Sequence, residues 1–292
     1  MGDYRSPYSI TLRCLDLIMK IGAALEAAGK MATLRSSALR RSERVRTIQA
    51  TLAIEGNTLD LDQVTAILEG KRVAGPFREV REVKNAIEAY ERLDSWNPCD
   101  EADFLAAHSV LTQGLVETSG AYRRGGVGIQ RGHELVHIAP PAELAPFQAR
   151  DLLAWLARSE EHPLIAPCVF HYEIEFIHPF TDGNGRMGRL WHSLILRRWN
   201  QAFAALPLEC VIRDRQQEYY AALRVANATG TATSFVEFLL GAILDAALSL
   251  SSSDQVCDPL SAPVALPLKS LADGAASSLT AEGKRRLPEK RW

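Results

Sequence analysis

Apolar residues recur three and four positions apart along most of this chain, the spacing of a single helix face. Ile10, Cys14, Leu17, Ile18, Ile21 and Leu25 predict an amphipathic helix over residues 8–28. Val45, Ile48 and Leu52 predict another over 43–55, which stops at Gly56-Asn57. Residues 59–69 read as a short helix. Val80, Val83, Ile87 and Tyr90 carry an apolar stripe on to Trp96, where Asn97-Pro98 ends it, and Asp100 can cap a helix reaching Leu115. Further helices are predicted over 144–156, 165–177, the run containing Leu190, Leu194 and Ile195, 214–227, and 232–250. Strands fit only between residues 122 and 141. Val127 and Ile129 form a first run and Leu135, Val136, His137 and Ile138 a second, joined by Arg131-Gly132-His133. The predicted fold is mainly α, a bundle of about ten helices with a small β-hairpin.

Composition narrows the function classes. With 292 residues, 47% hydrophobic and 23% charged, the chain has an ordinary soluble composition and enough length for a core. A formal net charge of -2 gives no whole-chain electrostatic case for nucleic acid or a membrane surface. The basic run with Arg40, Arg41, Arg44 and Arg46 lacks interleaved aromatics and reads as a solvated helix face, so no nucleic-acid partner is expected. No membrane association is expected either, since no signal pattern opens the chain and no apolar run is read as long enough to span. Cys14, Cys99, Cys168, Cys210 and Cys257 are scattered, so free thiols in a reducing compartment, a cytoplasm, are expected. From Ser251 the chain turns to Ser, Pro, Ala and Gly, which predicts a disordered tail over 251–292.

The chemistry concentrates in twelve residues, His178-Pro-Phe-Thr-Asp-Gly-Asn-Gly-Arg-Met-Gly-Arg189, between two predicted helices. Gly183 and Gly185 allow positive φ and close backbone approach, so successive N–H groups can face one anion at the start of the second helix. Arg186 and Arg189, three apart, add guanidinium forks suited to phosphate. Asp182 beside an anion site calls for a cation between them, and Mg²⁺ bridging one carboxylate and phosphates is the usual arrangement. His178 can accept a proton near neutral pH. A rival site is His171, Glu175 and His178, whose spacing puts three metal-binding side chains on one helix face, but it leaves the glycines and arginines without a purpose. His133 and His137 form no metal set of their own.

The run matches without departure the His-x-Phe-x-Asp/Glu-Gly-Asn-Gly-Arg-x-x-Arg signature, and the chain resembles the Fic domain family over roughly residues 10–250. The resemblance implies transfer of AMP from ATP, with Mg²⁺, to a Ser, Thr or Tyr hydroxyl of a target protein. It implies His178 as the base, Asp182 as the metal ligand, and a nucleotide site at Asp182, Gly183, Asn184, Gly185, Arg186, Met187, Gly188 and Arg189. Tyr219 and Asn227 match the adenine and ribose side. The hairpin is implied to be a flap, Leu135, Val136, His137 and Ile138, that holds the target by strand pairing. Thr51-Leu-Ala-Ile-Glu55-Gly56 resembles the family's inhibitory Ser/Thr-x-x-x-Glu-Gly/Asn motif, which implies that Glu55 pairs with Arg189 and crowds the γ-phosphate. Glu55 is also implied as a group that could orient water to remove AMP. The implied division is 1–95, with an inhibitory helix near 43–56, a catalytic domain over 96–250, and the tail. Homodimers are common in the family, and the stripe over 80–90 is a candidate face. Other donors (UMP, phosphocholine or a γ-phosphate) and a nucleotide-sensing module remain alternatives.

Overall fold

The computed structural model describes residues 7–32, 37–126, 128–131 and 134–251. Their periodic segments fold close to where the apolar spacing puts them: α1 (Leu12–Ala32), α2 (Ser37–Ile54), α3 (Leu61–Leu68), α4 (Phe77–Arg92) and α5 (Glu101–Thr112). The hairpin strands β1 (Gly128–Arg131) and β2 (Glu134–Ile138) follow, then α6 (Ala145–Arg158), α7 (Ala166–Ile177) and α8 (Asn184–Trp199). The last helices are α9 (Leu208–Asp214), α10 (Gln216–Thr229) and α11 (Thr233–Ser251). Asp60 caps α3 in a reciprocal capping box with Gln63, and Asp100 caps α5 by accepting from Asp103 N at 2.9 Å. The helix expected over 214–227 is α10; ahead of it the short α9, which the apolar spacing did not predict, ends where the chain bends at Asp214-Arg215.

α7 and α8 pack against each other and are buried along almost their whole length. α11 lies on α7 and also packs against α1, α9 and α10; α2 crosses α9, α4 and α8. A single apolar core runs from Cys14 to Leu250, so the region before residue 95 shares it with the rest of the chain. The chain start is tied to α11, with Ala232 N donating to Pro7 O at 2.8 Å and Ser9 N to Thr233 Oγ1 at 3.0 Å. α11 corrects one expectation, for Thr233–Leu250 is long and apolar enough by composition to cross a membrane. Here its Phe235, Val236, Leu239, Leu240 and Ile243 are buried in the core. The α4 stripe is spent in the core as well: Val83 and Tyr90 are buried, and Val80 and Ile87 pack against the same core. The stripe is thus used within the chain.

The hairpin is antiparallel, with Gly128 opposite Ile138, Ile129 opposite His137, Gln130 opposite Leu135 and Arg131 opposite Glu134. The register skips Val136, a bulge that bends the ribbon. Val127, Gly132, His133 and the tail from 252 lie outside the described residues. Among the described cysteines, Cys14, Cys99, Cys168 and Cys210 are free thiols.

An aromatic group fastens the motif to α5: Phe104 meets Phe180 at 5.3 Å, Trp191 at 5.1 Å and Phe170 at 6.3 Å between ring centroids. Phe104→Ala should lower unfolding free energy by about 3–5 kcal/mol in denaturant titrations, with helical circular dichroism retained below the transition.

Candidate active site

α7 ends at His178, which takes the left-handed conformation (φ 49°, ψ 59°). That is a strained position for a non-glycine residue, the more so before proline. Arg123, buried, holds it there. Its Nε donates to His178 O at 2.7 Å, its Nη1 to Gly125 O at 3.0 Å and its Nη2 to Pro140 O, while Arg123 N donates to Pro179 O at 2.9 Å. One guanidinium thus joins the motif loop to both ends of the hairpin segment. His178 Nδ1 lies 3.4 Å from Glu175 O, an acceptor only, so Nδ1 carries the proton and Nε2 keeps its lone pair.

The loop is shaped from inside. Phe180 is fully buried and stacks on His108, centroids 3.6 Å apart. Gly120 N donates to His108 Nδ1 at 3.0 Å, so Nε2 carries the hydrogen and donates to Asp182 O at 3.0 Å. Burial pushes His108 down to about 4, which keeps this neutral tautomer. Asn184 accepts from Phe180 N at 3.0 Å and donates to Phe180 O at 2.9 Å, so its side chain closes the loop and is not spare for a ligand. Gly183 supplies the positive φ, +86°, directly against α5. Gly185 is helical instead, and its lack of a Cβ matters as space: one there would overlap Glu55 Oε1.

At the start of α8 no side chain caps the helix. Its first N–H groups have no intrahelical partner by geometry. Arg186 is buried, yet its Nε and Nη1 have no hydrogen-bond partner. Buried guanidinium donors left open at a helix N-terminus fit an anion with several oxygens. Asp182, at the rim, accepts from Gly183 N at 2.8 Å and from Arg78 Nη2 at 2.7 Å.

Arg189, one turn on, is held from α2. Its Nη2 donates to Glu55 Oε1 at 2.5 Å and to Thr51 O at 3.1 Å, and its Nε to Thr51 Oγ1 at 2.9 Å. Burial works against its charge, and the Glu55 carboxylate outweighs that, holding Arg189 above the ordinary arginine value. The end of α2 is fixed from α10, where Gln216 Nε2 and Tyr220 Oη donate to Ile54 O at 2.8 and 3.2 Å. Behind Arg189, Tyr219 Oη donates to Glu175 Oε1 at 3.1 Å and lies 3.1 Å from His171 Nε2.

The chain is similar to known proteins. The model of the Fic/DOC family matches residues 98–196. A solved Fic family protein from Desulfovibrio desulfuricans G20 is 54% identical, covering 87% of this chain and 79% of that one with a TM-score of 0.83. The chain belongs to the Fic family. A solved Fic-1 fragment from C. elegans has a TM-score of 0.66 at 26% identity, over 81% of this chain and 72% of that one. Protein adenylyltransferase fic-1 of Caenorhabditis elegans is 34% identical over 220 residues, 70% of this chain and 41% of that protein. The chain thus spans about two fifths of the length of the curated Fic relatives it matches.

Within this Fic site the structure brings together His178, Asp182, Gly183, Gly185, Arg186, Arg189 and Glu55. It sets others apart. Met187 is fully buried, and a Cβ on Gly188 would overlap the His171 ring, so both serve packing. Tyr219 is buried with its hydroxyl engaged on Glu175, so it does not line an open nucleotide pocket in this structure. Asn227 does keep a buried Oδ1 without a partner. The rival metal set fails: His171 sits in the core against Tyr219 and His192, and no cluster of three His, Cys, Asp or Glu suits a metal among the described residues. Arg123, His108 and Arg78 escaped sequence reading, since each reaches the loop from a distant segment.

Burial, then the Glu55 charge, push Glu175 up to about 7 from 4.5. A carboxyl whose folded pKa is raised binds more protons folded than unfolded, so its contribution is full below 4.5 and is lost as pH rises through about 7. Glu175→Gln should therefore gain Tm relative to the parent as pH is raised through that window. A difference that stays constant with pH would place the titrating group elsewhere.

Proposed function

We propose that this chain transfers AMP from ATP to a hydroxyl side chain of a target protein and is held in a low-activity state by Glu55. The observation that carries the reading is the pairing of an uncapped helix N-terminus with a buried Arg186 whose Nε and Nη1 make no hydrogen bond, a few residues from a histidine whose Nδ1 faces a carbonyl. The adenylyltransferase names of the relatives support it. Those polar groups suit a polyphosphate, and Asp182 suits Mg²⁺, which needs only one carboxylate beside phosphate oxygens. When bound there, the ion would neutralise phosphate charge.

The remaining chemistry belongs to the chain's own residues. The target hydroxyl gives its proton to His178 Nε2 as its oxygen attacks the α-phosphorus, and the bond from that phosphorus to the pyrophosphate oxygen breaks. Arg186 and the α8 N–H groups meet the negative charge that develops. The hairpin offers main-chain groups for strand addition, which would position varied hydroxyls without reading much sequence. Arg189 cannot serve the departing phosphates while Glu55 and Thr51 hold it, and the Glu55 carboxylate occupies the space opened by Gly185.

Intact-mass spectrometry after incubation with ATP and Mg²⁺ tests both parts. An AMP-sized gain is expected, larger in Glu55→Gly and reduced at least about a hundredfold in rate by His178→Ala. A parent-like rate in His178→Ala would sink the mechanism, and an unchanged rate in Glu55→Gly would remove the inhibitory role.

A further inference from the structure

The first turn of α4 faces two things at once. Toward the turn that follows α2, Glu79 Oε2 accepts from Thr58 N at 2.6 Å and Thr58 Oγ1 at 2.8 Å, and Glu82 Oε2 accepts from Asn57 Nδ2 at 3.0 Å. Toward the motif, Arg78 Nη2 donates to Asp182 Oδ2 at 2.7 Å, a contact spanning 104 residues of sequence. Arg78 Nε also lies 3.4 Å from Glu82 Oε1, and Arg186 Nη1 lies 3.7 Å from that same oxygen. The other oxygen of Asp182, Oδ1, accepts from Gly183 N within its own loop at 2.8 Å and, at 3.4 Å, from Arg186 Nη2, so Arg78 is the nearer of two guanidinium groups on this carboxylate. A divalent cation coming to Oδ2 therefore meets a positive charge already seated there. Two cations cannot share one carboxylate oxygen at such distances without strong repulsion.

We propose that Arg78 is the resident counter-ion of Asp182, displaced when a divalent cation binds, so that α4 sets the cation concentration at which nucleotide is held. This rests on the reading of Asp182 as the cation ligand made above. Arg78 is a positioning residue and touches no reacting atom. It is suited to exchange: its side chain is 52% exposed, against 20% for Asp182, and Glu82 stands ready as a second partner. The contact is also separate from the Glu55–Arg189 pair, sharing no atom with it. Loss of Glu55 therefore leaves it in place. Arg81 provides an internal control, being on the same helix with the same charge but directed at the Phe77 ring, 5.8 Å from its centroid.

The test is Mg²⁺-dependent binding of a fluorescent, non-hydrolysable ATP analogue, in a Glu55→Gly background that opens the site. Adding Arg78→Ala should lower the Mg²⁺ concentration for half-maximal binding by about threefold to tenfold, in line with the worth of a part-exposed ion pair. Arg81→Ala should leave that midpoint in place, and Arg78→Lys should fall between. Equal midpoints with and without Arg78, or an equal shift with Arg81→Ala, would overturn the proposal. If Asp182→Asn binds with the same Mg²⁺ dependence as its parent, the cation reading itself fails and takes the proposal with it. Arg78 is half exposed, so the variants should fold, and thermal melts are the check on each.

Discussion

A guanidinium buried in the middle of a helical bundle must be surrounded by acceptors, and Arg189 sets that demand here. It is almost entirely out of water, on the central helix, and a charge so placed is tolerated only when paired and hydrogen-bonded. Two elements combine to meet it. α2 brings a hydroxyl and a backbone carbonyl from Thr51 and a carboxylate from Glu55, while α10 holds the end of α2 through Gln216 and Tyr220. Docking of the N-terminal helices is thus tied to a side chain one turn into α8, beside its open N-terminus. Withdrawal of Glu55 would leave Arg189 in need of another anion, which is the condition a phosphate would satisfy.

The loop ahead of Arg189 is rigid for a different reason. His178 occupies a backbone conformation that most residues avoid, and such strain persists only where the surroundings over-determine it. Arg123 supplies much of that constraint by collecting carbonyls from the loop and from both sides of the hairpin. Asn184 and His108 close the loop from within, leaving the rim carboxylate of Asp182 and the open helix end as its exposed chemistry. The hairpin and the histidine are therefore set by one side chain.

The helices were legible because their apolar spacing is long and regular, and the motif because its glycines, arginines and acid stand within twelve residues. Glu55 was legible as a carboxylate badly placed at a helix end. What the spacing could not give is which way a helix turns once packed. Tyr219 and Tyr220 are adjacent on α10, and only tertiary packing decides that the first is buried on Glu175 while the second reaches Ile54. The short α9 carries too few residues for a period to declare itself, so it went unread. Arg123, His108 and Arg78 act across 55, 74 and 104 residues respectively, and no local pattern encodes such distances.

The missing Cβ of Gly185 creates a vacancy that the Glu55 carboxylate fills. On the reading proposed here, the same vacancy lies beside the path of the nucleotide's phosphates. Inhibitor and substrate then contend for one volume, and the inhibitor is tethered to it. A tethered competitor acts at a fixed effective concentration, on the order of millimolar for short flexible connections and higher for a docked helix. Such restraint is a threshold set by geometry: it does not dilute as the protein does, and it yields only when α2 itself is loosened.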